Sequence, residues 1–213
     1  LAIDGSDLYV GGHFTNAAGI ATADYIARWN GSTWLALGSD GVANGALAWD
    51  AWEIAVSGSD LYVGGGFRDA ALIPEADYVA RWNGTAWSAL GSNGSGDGAV
   101  NSPVWAFALS ETGGDLYVGG DFDNVAGIAT ADRVAEWSLV PFTDIAGTTF
   151  EKDIIWVYLH GITSGCSATT YCPTAPVTRG QMASFLARAL ALPSTTTDHF
   201  TDDNGTTHEA NIN

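Results

Sequence analysis

Apolar and polar positions alternate with a period of two in two stretches of the first half of the chain. Trp52, Ile54 and Val56 alternate with Glu53 and Ala55, and Trp105, Phe107 and Leu109 alternate with alanines. Side chains two residues apart on a strand share a face, so both stretches predict strands with one well-buried face. Each is followed by Asp-Leu-Tyr-Val-Gly-Gly, which occurs at Asp7–Gly12, Asp60–Gly65 and Asp115–Gly120. Each of these copies leads, at a constant offset, into ADYIARW, ADYVARW or ADRVAEW. Tyr9 and Tyr62 are 53 residues apart and Tyr62 and Tyr117 are 55 apart. The two extra residues fall between Ser110 and Asp115, at a predicted hairpin turn, where an insertion disturbs least.

Asn30-Gly31 and Asn83-Gly84 then separate the ARW runs from TWLALG and AWSALG. Asn-Gly between two such runs favours a tight hairpin, because both central residues tolerate positive φ. Each unit therefore predicts four antiparallel strands, and the double glycines predict close approach of neighbouring backbone. Trp29, Trp34, Trp82, Trp87 and Trp137 recur at fixed places and predict space-filling between successive units.

The pattern changes after Trp137. Pro141 precedes FTDIAGTTFEKDII, beginning at Phe142, and a related phrase, FTDDNGTTHEANIN, begins 58 residues later at Phe200. Between them the spacing predicts a helix from Phe150 to His160, with Ile154, Val157 and Tyr158 on one face and Gly161 as its stop. A second helix is predicted from the capping-box spacing of Thr178 and Gln181. Met182, Phe185, Leu186, Ala189 and Leu190 follow it at helical intervals, and Pro193 ends it.

The first repeat, LYVGGxF followed by ARWNGxxWxALG, resembles kelch and galactose-oxidase-like β-propeller repeats, and more closely those of fungal cortical cell-polarity marker proteins and many bacterial surface proteins. The resemblance implies a two-part fold: all-β propeller-type blades over residues 1–137, then a small α-helical region. Closed propellers hold about 4 to 8 blades. The sequence carries one whole blade, a first that begins mid-strand at Leu1 and a third without its NGxxW strand, so an incomplete ring and further blades upstream are expected.

The second repeat, with FxD, a helix, GITSG, a short loop and VTRGQMASFLARAL, resembles the S-layer homology family. The resemblance implies one such repeat over residues 138–197 and the start of another over 198–213. In that family three repeats commonly form a helical module that holds secondary cell-wall polysaccharide, often through pyruvylated sugars. Its motif at a helix start is Thr-Arg-Ala-Glu. Thr178 and Arg179 match it, Gly180 and Gln181 replace the other two residues, and the resemblance implies that Arg179 meets an anionic sugar. On the residues alone, Arg179 beside a helix N-terminus suits a carboxylate and equally fits a solvent-exposed or structural arginine.

Composition narrows the partners. Asp and Glu number 24 against 7 Lys and Arg, a formal charge of −17, which repels nucleic acid and anionic lipid. No apolar run reaches the ~20 residues of a membrane span. Cys166 and Cys172 predict a short local disulfide and an oxidising compartment, whereas zinc would need two further ligands that His160 and His199 do not supply at a familiar spacing. No metal and no cofactor are expected. Asp202-Asp203-Asn204-Gly205 hints at calcium but lacks the remaining loop spacing.

No nucleophile, metal set or acid–base pair forms a clear catalytic constellation. Asp24 and Asp77 each precede Arg28 and Arg81 by four residues, so on one strand they would share a face and could pair, whereas the third copy has Asp132 with Glu136; structural salt bridges or turn contacts account for these residues better than a repeated catalytic device. His13 occupies a position held by Gly66 and Asp121 in the other copies and reads as exposed loop variation. Asn30, Asn83 and Asn204 match glycosylation sequons, but turn chemistry accounts for them. The expectation is a non-enzymatic, secreted bacterial cell-surface protein, anchored to wall polysaccharide by its helical region while the blades recognise or scaffold an unknown ligand. The alternatives are a wall-tethered enzyme with its catalytic residues elsewhere and a carbohydrate-binding adhesin whose exposed tryptophans stack on sugars.

Overall fold

In a computed structural model the described residues are 1–193, Gly205 and His208. The second FTD phrase, with Phe200, His199 and Asp202-Asp203-Asn204, otherwise lies outside them. The chain divides between Leu139 and Val140 into two compact units.

The first unit holds three antiparallel sheets. The first is formed in order by β1 (Ala2–Asp4), β2 (Asp7–Gly11), β3 (Ile26–Trp29) and β4 (Trp34–Leu35). The second is formed by β5 (Ala51–Ser57), β6 (Asp60–Gly65), β7 (Val79–Trp82) and β8 (Trp87–Ala89). The third has three strands, β9 (Val104–Leu109), β10 (Asp115–Gly120) and β11 (Val134–Ser138). They form no closed ring.

Apolar cores lie between successive sheets. One packs Tyr9 and Ile26 of the first sheet against Ala51, Ile54, Leu61 and Val63 of the second. The other packs Tyr62 and Val79 of the second against Val104, Leu116 and Val118 of the third. Leu61 and Val63 thus serve one core and Tyr62 the other, as the two-residue period of a strand requires.

Glycine makes this approach possible. A Cβ on Gly11 would lie 2.9 Å from Ala51 Cβ and 3.1 Å from Ile54 Cδ1, and one on Gly64 would lie 2.6 Å from Val104 Cγ1 and 2.8 Å from Phe107 Cζ. At each glycine the shortest of these distances, 2.9 and 2.6 Å, is one at which a side chain would force the facing strand to move. The tryptophans add polar ties between repeats: Trp87 Nε1 donates to the Leu37 carbonyl, and Trp137 Nε1 donates to that of Leu90 at 2.9 Å.

Two local expectations are corrected. Asp24 and Asp77 do not pair with Arg28 and Arg81, because Tyr25 and Tyr78 between them have φ of 61° and 59°, and the chain turns before the strand begins. Arg28 instead reaches Asp7 at 3.4 Å and Arg81 reaches Asp60 at 2.7 Å. Arg28 and Arg81 stand opposite Tyr9 and Tyr62, two residues beyond those aspartates on the neighbouring strand. In the third sheet the residue opposite Tyr117 is Glu136, so the arginine that meets the aspartate in the other two sheets is replaced there by an acid.

The Asn-Gly turns also differ from a two-residue hairpin. Only Gly31 and Gly84 have positive φ, 90° and 92°. Asn30 works through its side chain, whose Oδ1 accepts from the Ser32 and Thr33 amides at 3.0 and 2.9 Å, and Asn83 does the same for Thr85 and Ala86. Such Asx contacts organise a four-residue loop between the paired tryptophans.

Asp24 and Asp77 have a different task. Each is buried and accepts from the amide of a left-handed residue eight positions earlier, Asn16 at 2.7 Å and Asp69 at 2.8 Å. Asp24 also accepts from Gly45 N at 3.0 Å, which fixes the connection toward the second sheet. Asp132 repeats the contact with Asn124 at 2.9 Å. The charge is therefore used to hold a turn.

The second unit contains α1 (Glu151–Leu159) and α2 (Arg179–Ala189). Ile154 and Ile155 of α1 pack with Val140, Phe142 and Ile145, flanked by Tyr158 and Tyr171. Gly161, at φ 69°, follows the end of α1. The capping box of Thr178 and Gln181 is complete at the start of α2. Its apolar stripe is a second difference from a buried helix face, because Met182, Leu186 and Leu190 are exposed and the buried residue is Ser184. Periodicity predicts the helix; only neighbouring chain can cover the stripe.

A Gly64→Val substitution should lower stability by about 1–3 kcal/mol through overpacking against Val104 and Phe107. Gly119→Val, where the nearest atom to a Cβ is 3.8 Å away, should change it by no more than about 0.5 kcal/mol in dilute solution. Thermal unfolding of the two variants checks the contrast, and equal losses would contradict it.

Candidate functional site

The residues that the sequence singles out in the second unit lie around one loop. Cys166 and Cys172 are joined by a disulfide with Cα atoms 6.1 Å apart. The segment it closes is latched to the start of the unit by Asp144, whose two carboxylate oxygens accept from the Tyr171 and Cys172 amides, both at 2.8 Å. The Tyr171 amide, with that of Cys172, holds the Asp144 carboxyl below the usual carboxylate range. Gly165, at φ 79°, passes so close to Phe142 and the Thr170 carbonyl that a Cβ would meet both at 2.5 Å.

This loop separates two shallow grooves. One, about 260 Å³, is lined by Phe150, Asp153, Ile154, Val157, Tyr171 and Pro173. The other, about 140 Å³, runs from the disulfide to Val177, Gln181 and Phe185 of the α2 start. Tyr171 and Pro173 line both. Neither was singled out by the sequence reading, although the aromatic beside Cys172 in a stapled loop was a usable signal.

Thr178 caps α2: its Oγ1 accepts from Gln181 N at 3.2 Å, and its own amide donates to Gln181 Oε1 at 2.9 Å. Gln181 therefore does the work of the glutamate it replaces in a capping box, without the charge. Arg179 is the first residue of the helix, is exposed, and makes no ion pair with the described residues. The other α2 arginine, Arg188, is engaged, donating to the Ile162 carbonyl at 3.0 Å. Ser184 lies 2.9 Å from His208 Nδ1, and Gly180 leaves room for that ring, since a Cβ there would lie 3.0 Å from His208 Cδ2.

In the first unit the structure brings together tryptophans from two sheets. Trp52 and Trp105 stack with centroids 4.4 Å apart and planes 6° from parallel, and Trp105 remains 51% exposed. Trp49, also exposed, lies with Trp52 against Gly66. His13 is exposed as expected of a loop position, yet its Nδ1 lies 2.8 Å from Asp50 of the next repeat. Among the described residues no group of three or more His, Cys, Asp or Glu side chains is arranged to hold a metal ion, and no helix is long and apolar enough to cross a membrane.

A family model described as the S-layer homology domain matches residues 141–183, a span running from the strand of chain before α1 into α2. No curated protein and no solved structure matches the chain. The match covers α1, the disulfide loop and the first turn of α2, and a domain of this kind indicates cell-wall anchoring of a surface protein; it does not reach the repeated sheets.

Because the folded-state carboxyl of Asp144 is lowered, its latch contributes stability above the unfolded value near ~3.9 and loses it as pH falls through the folded value. The Tyr171 and Cys172 amide resonances should therefore keep their latched positions below pH ~4 and shift only in stronger acid. Asp144→Ala should place them at the unlatched positions at every pH; an NMR titration in which this variant matches the wild type would remove the latch.

Proposed function

We propose that this chain is a non-enzymatic, wall-anchored surface protein in which Arg179 is the principal contact to an anionic wall polysaccharide. The observation that carries the reading is the coincidence of the S-layer homology match with an exposed arginine, free of ion pairs to the described residues, at the head of a capped helix. A guanidinium offers a carboxylate two parallel hydrogen bonds, and the positive end of the helix dipole acts in the same direction. With a chain charge of −17, such a polymer is repelled at long range, so binding must rest on this local pair of donors. The sheets of the first unit then stand as a recognition or scaffold surface outside the wall.

Co-sedimentation with purified cell walls tests the reading. Wild-type protein should pellet, and Arg179→Ala should lose about tenfold or more in affinity, as should wild type on walls stripped of secondary polymer. Retention that survives both changes would move anchoring to another surface.

A second reading adds sugar recognition by the first unit, favoured by the parallel Trp52–Trp105 pair with its open indole face. Sugar rings stack on such faces and tolerate an acidic surround, whereas nucleobases come with a repelled phosphate backbone. On a glycan array, wild type should bind neutral polysaccharide and Trp105→Ala should not; an array blank for both would end this reading.

A further inference from the structure

The junction of the first two sheets and that of the second and third are built alike around a tyrosine, and they differ in what lies on it. At the second junction Arg68 covers Tyr78. Its guanidinium carbon stands 5.2 Å from the ring centroid, its Nε donates to the Tyr78 hydroxyl at 2.7 Å, and the tyrosine is left 7% exposed. A cation within about 6 Å of an aromatic face is attracted by the ring, and the charges of Asp77 and Asp97 act on Arg68 in the same direction.

At the first junction, 53 residues earlier, Thr15 stands in the place of Arg68 and Tyr25 in the place of Tyr78. Threonine is too short to cross the ring. Tyr25 stays half-buried, its hydroxyl makes no hydrogen bond among the described residues, and a cavity of about 500 Å³ opens beside it. The His13 ring approaches Tyr25 only at an angle, with centroids 6.4 Å apart.

The other walls match. Asp24 and Asp77 are equivalent, and a Cβ on the glycine that faces each would lie 2.9 Å from Asp24 Cβ at Gly45 and 3.0 Å from Asp77 Cβ at Gly98. The turn in the chain joining each pair of sheets carries one acid and one amide in exchanged places, Asp40 with Asn44 and Asn93 with Asp97. It closes through the same backbone bond, at 3.3 and 3.4 Å. Both junctions thus offer a tyrosine and two carboxylates, and the second has its cation in place. Asp69 adds a third carboxylate to the first cavity, whereas the guanidinium of Arg68, which also lines it, is committed to Tyr78.

We propose that the cavity beside Tyr25 binds a small guanidino compound such as arginine, the ligand supplying the cation that the second junction supplies from its own chain. A planar guanidinium stacks on the phenol ring and donates from its edge to the Tyr25 hydroxyl and to Asp40. The cavity lies within the size range of small-molecule sites, and Leu72 gives the ligand's stem an apolar wall. Every wall belongs to the first two sheets and the chain that joins their strands.

An NMR titration of the full chain with L-arginine amide tests the proposal. The Tyr25 and Gly45 amides should shift and saturate with a dissociation constant on the order of 1 mM, and citrulline amide, of the same shape without the charge, should shift neither. Thr15→Arg rebuilds the second junction in the first, and should keep the wild-type thermal midpoint while losing at least about tenfold in affinity. Asp40→Asn, which gives this turn the side chain that Asn93 has in the matching one, should weaken binding about fivefold. The absence of a saturable shift, an equal response to citrulline amide, or binding that either variant leaves unchanged would overturn the proposal.

Discussion

Successive sheets in the first unit approach so closely that the receiving strand has no room for a side chain at one position, and the rest of that unit follows from this constraint. Gly11 and Gly64 sit under Ala51–Ile54 and Val104–Phe107, and the separation they permit lets Ile26, Val79, Leu116 and Val118 lose almost all contact with water. Burial of each such side chain contributes roughly 1.5–3 kcal/mol, while each glycine costs less than that in strand preference. A short alanine in place of glycine would separate the sheets rather than fill a gap. The apolar contacts on either side would then be lost together.

The turns that deliver the strands to this interface carry backbone strain. Asn16, Asp69 and Asn124 lie in the left-handed region, as do Ala18, Ala71 and Ala126 and the residues at Tyr25, Tyr78 and Arg133. Non-glycine residues there cost on the order of 1–3 kcal/mol each, so three per repeat require compensation. The buried carboxylates of Asp24 and Asp77 supply part of it by accepting turn amides, and burial pushes the Asp77 carboxyl up. A repeated turn that bonds across to the neighbouring connection, Ala71 N to Ala46 O and Ala126 N to Ala99 O, supplies another part. Strain and interface are thus joined in one device.

The second unit solves the small-domain problem differently. Its core is modest, centred on Phe142, Ile154 and Ile155, and the loop beyond α1 is held by a disulfide, by the Asp144 latch and by Arg188. The chain that leads on to the α2 start leaves this loop through one turn, in which Ala175 N donates to the Cys172 carbonyl. The exposed Met182, Leu186 and Leu190 show that this unit has apolar surface beyond what the described residues cover.

By itself the sequence determined the number and order of elements. Period two, the Gly-Gly and Asn-Gly punctuation and the capping box are local signals, governed by residues within one turn or one strand, and they located the sheets and the helices, as the closeness of Cys166 and Cys172 located the disulfide. Arg179 was legible as the head of α2 for the same reason. The tertiary structure alone decided which partners these elements meet. Arg28 and Arg81 pair across strands because Tyr25 and Tyr78 turn the chain, Trp52 stacks on Trp105 because sheets 53 residues apart come together, and Tyr171 enters the candidate site because Asp144 holds its amide. Such meetings depend on the distance between segments remote in sequence, and that distance is set by packing, which no window of local pattern contains.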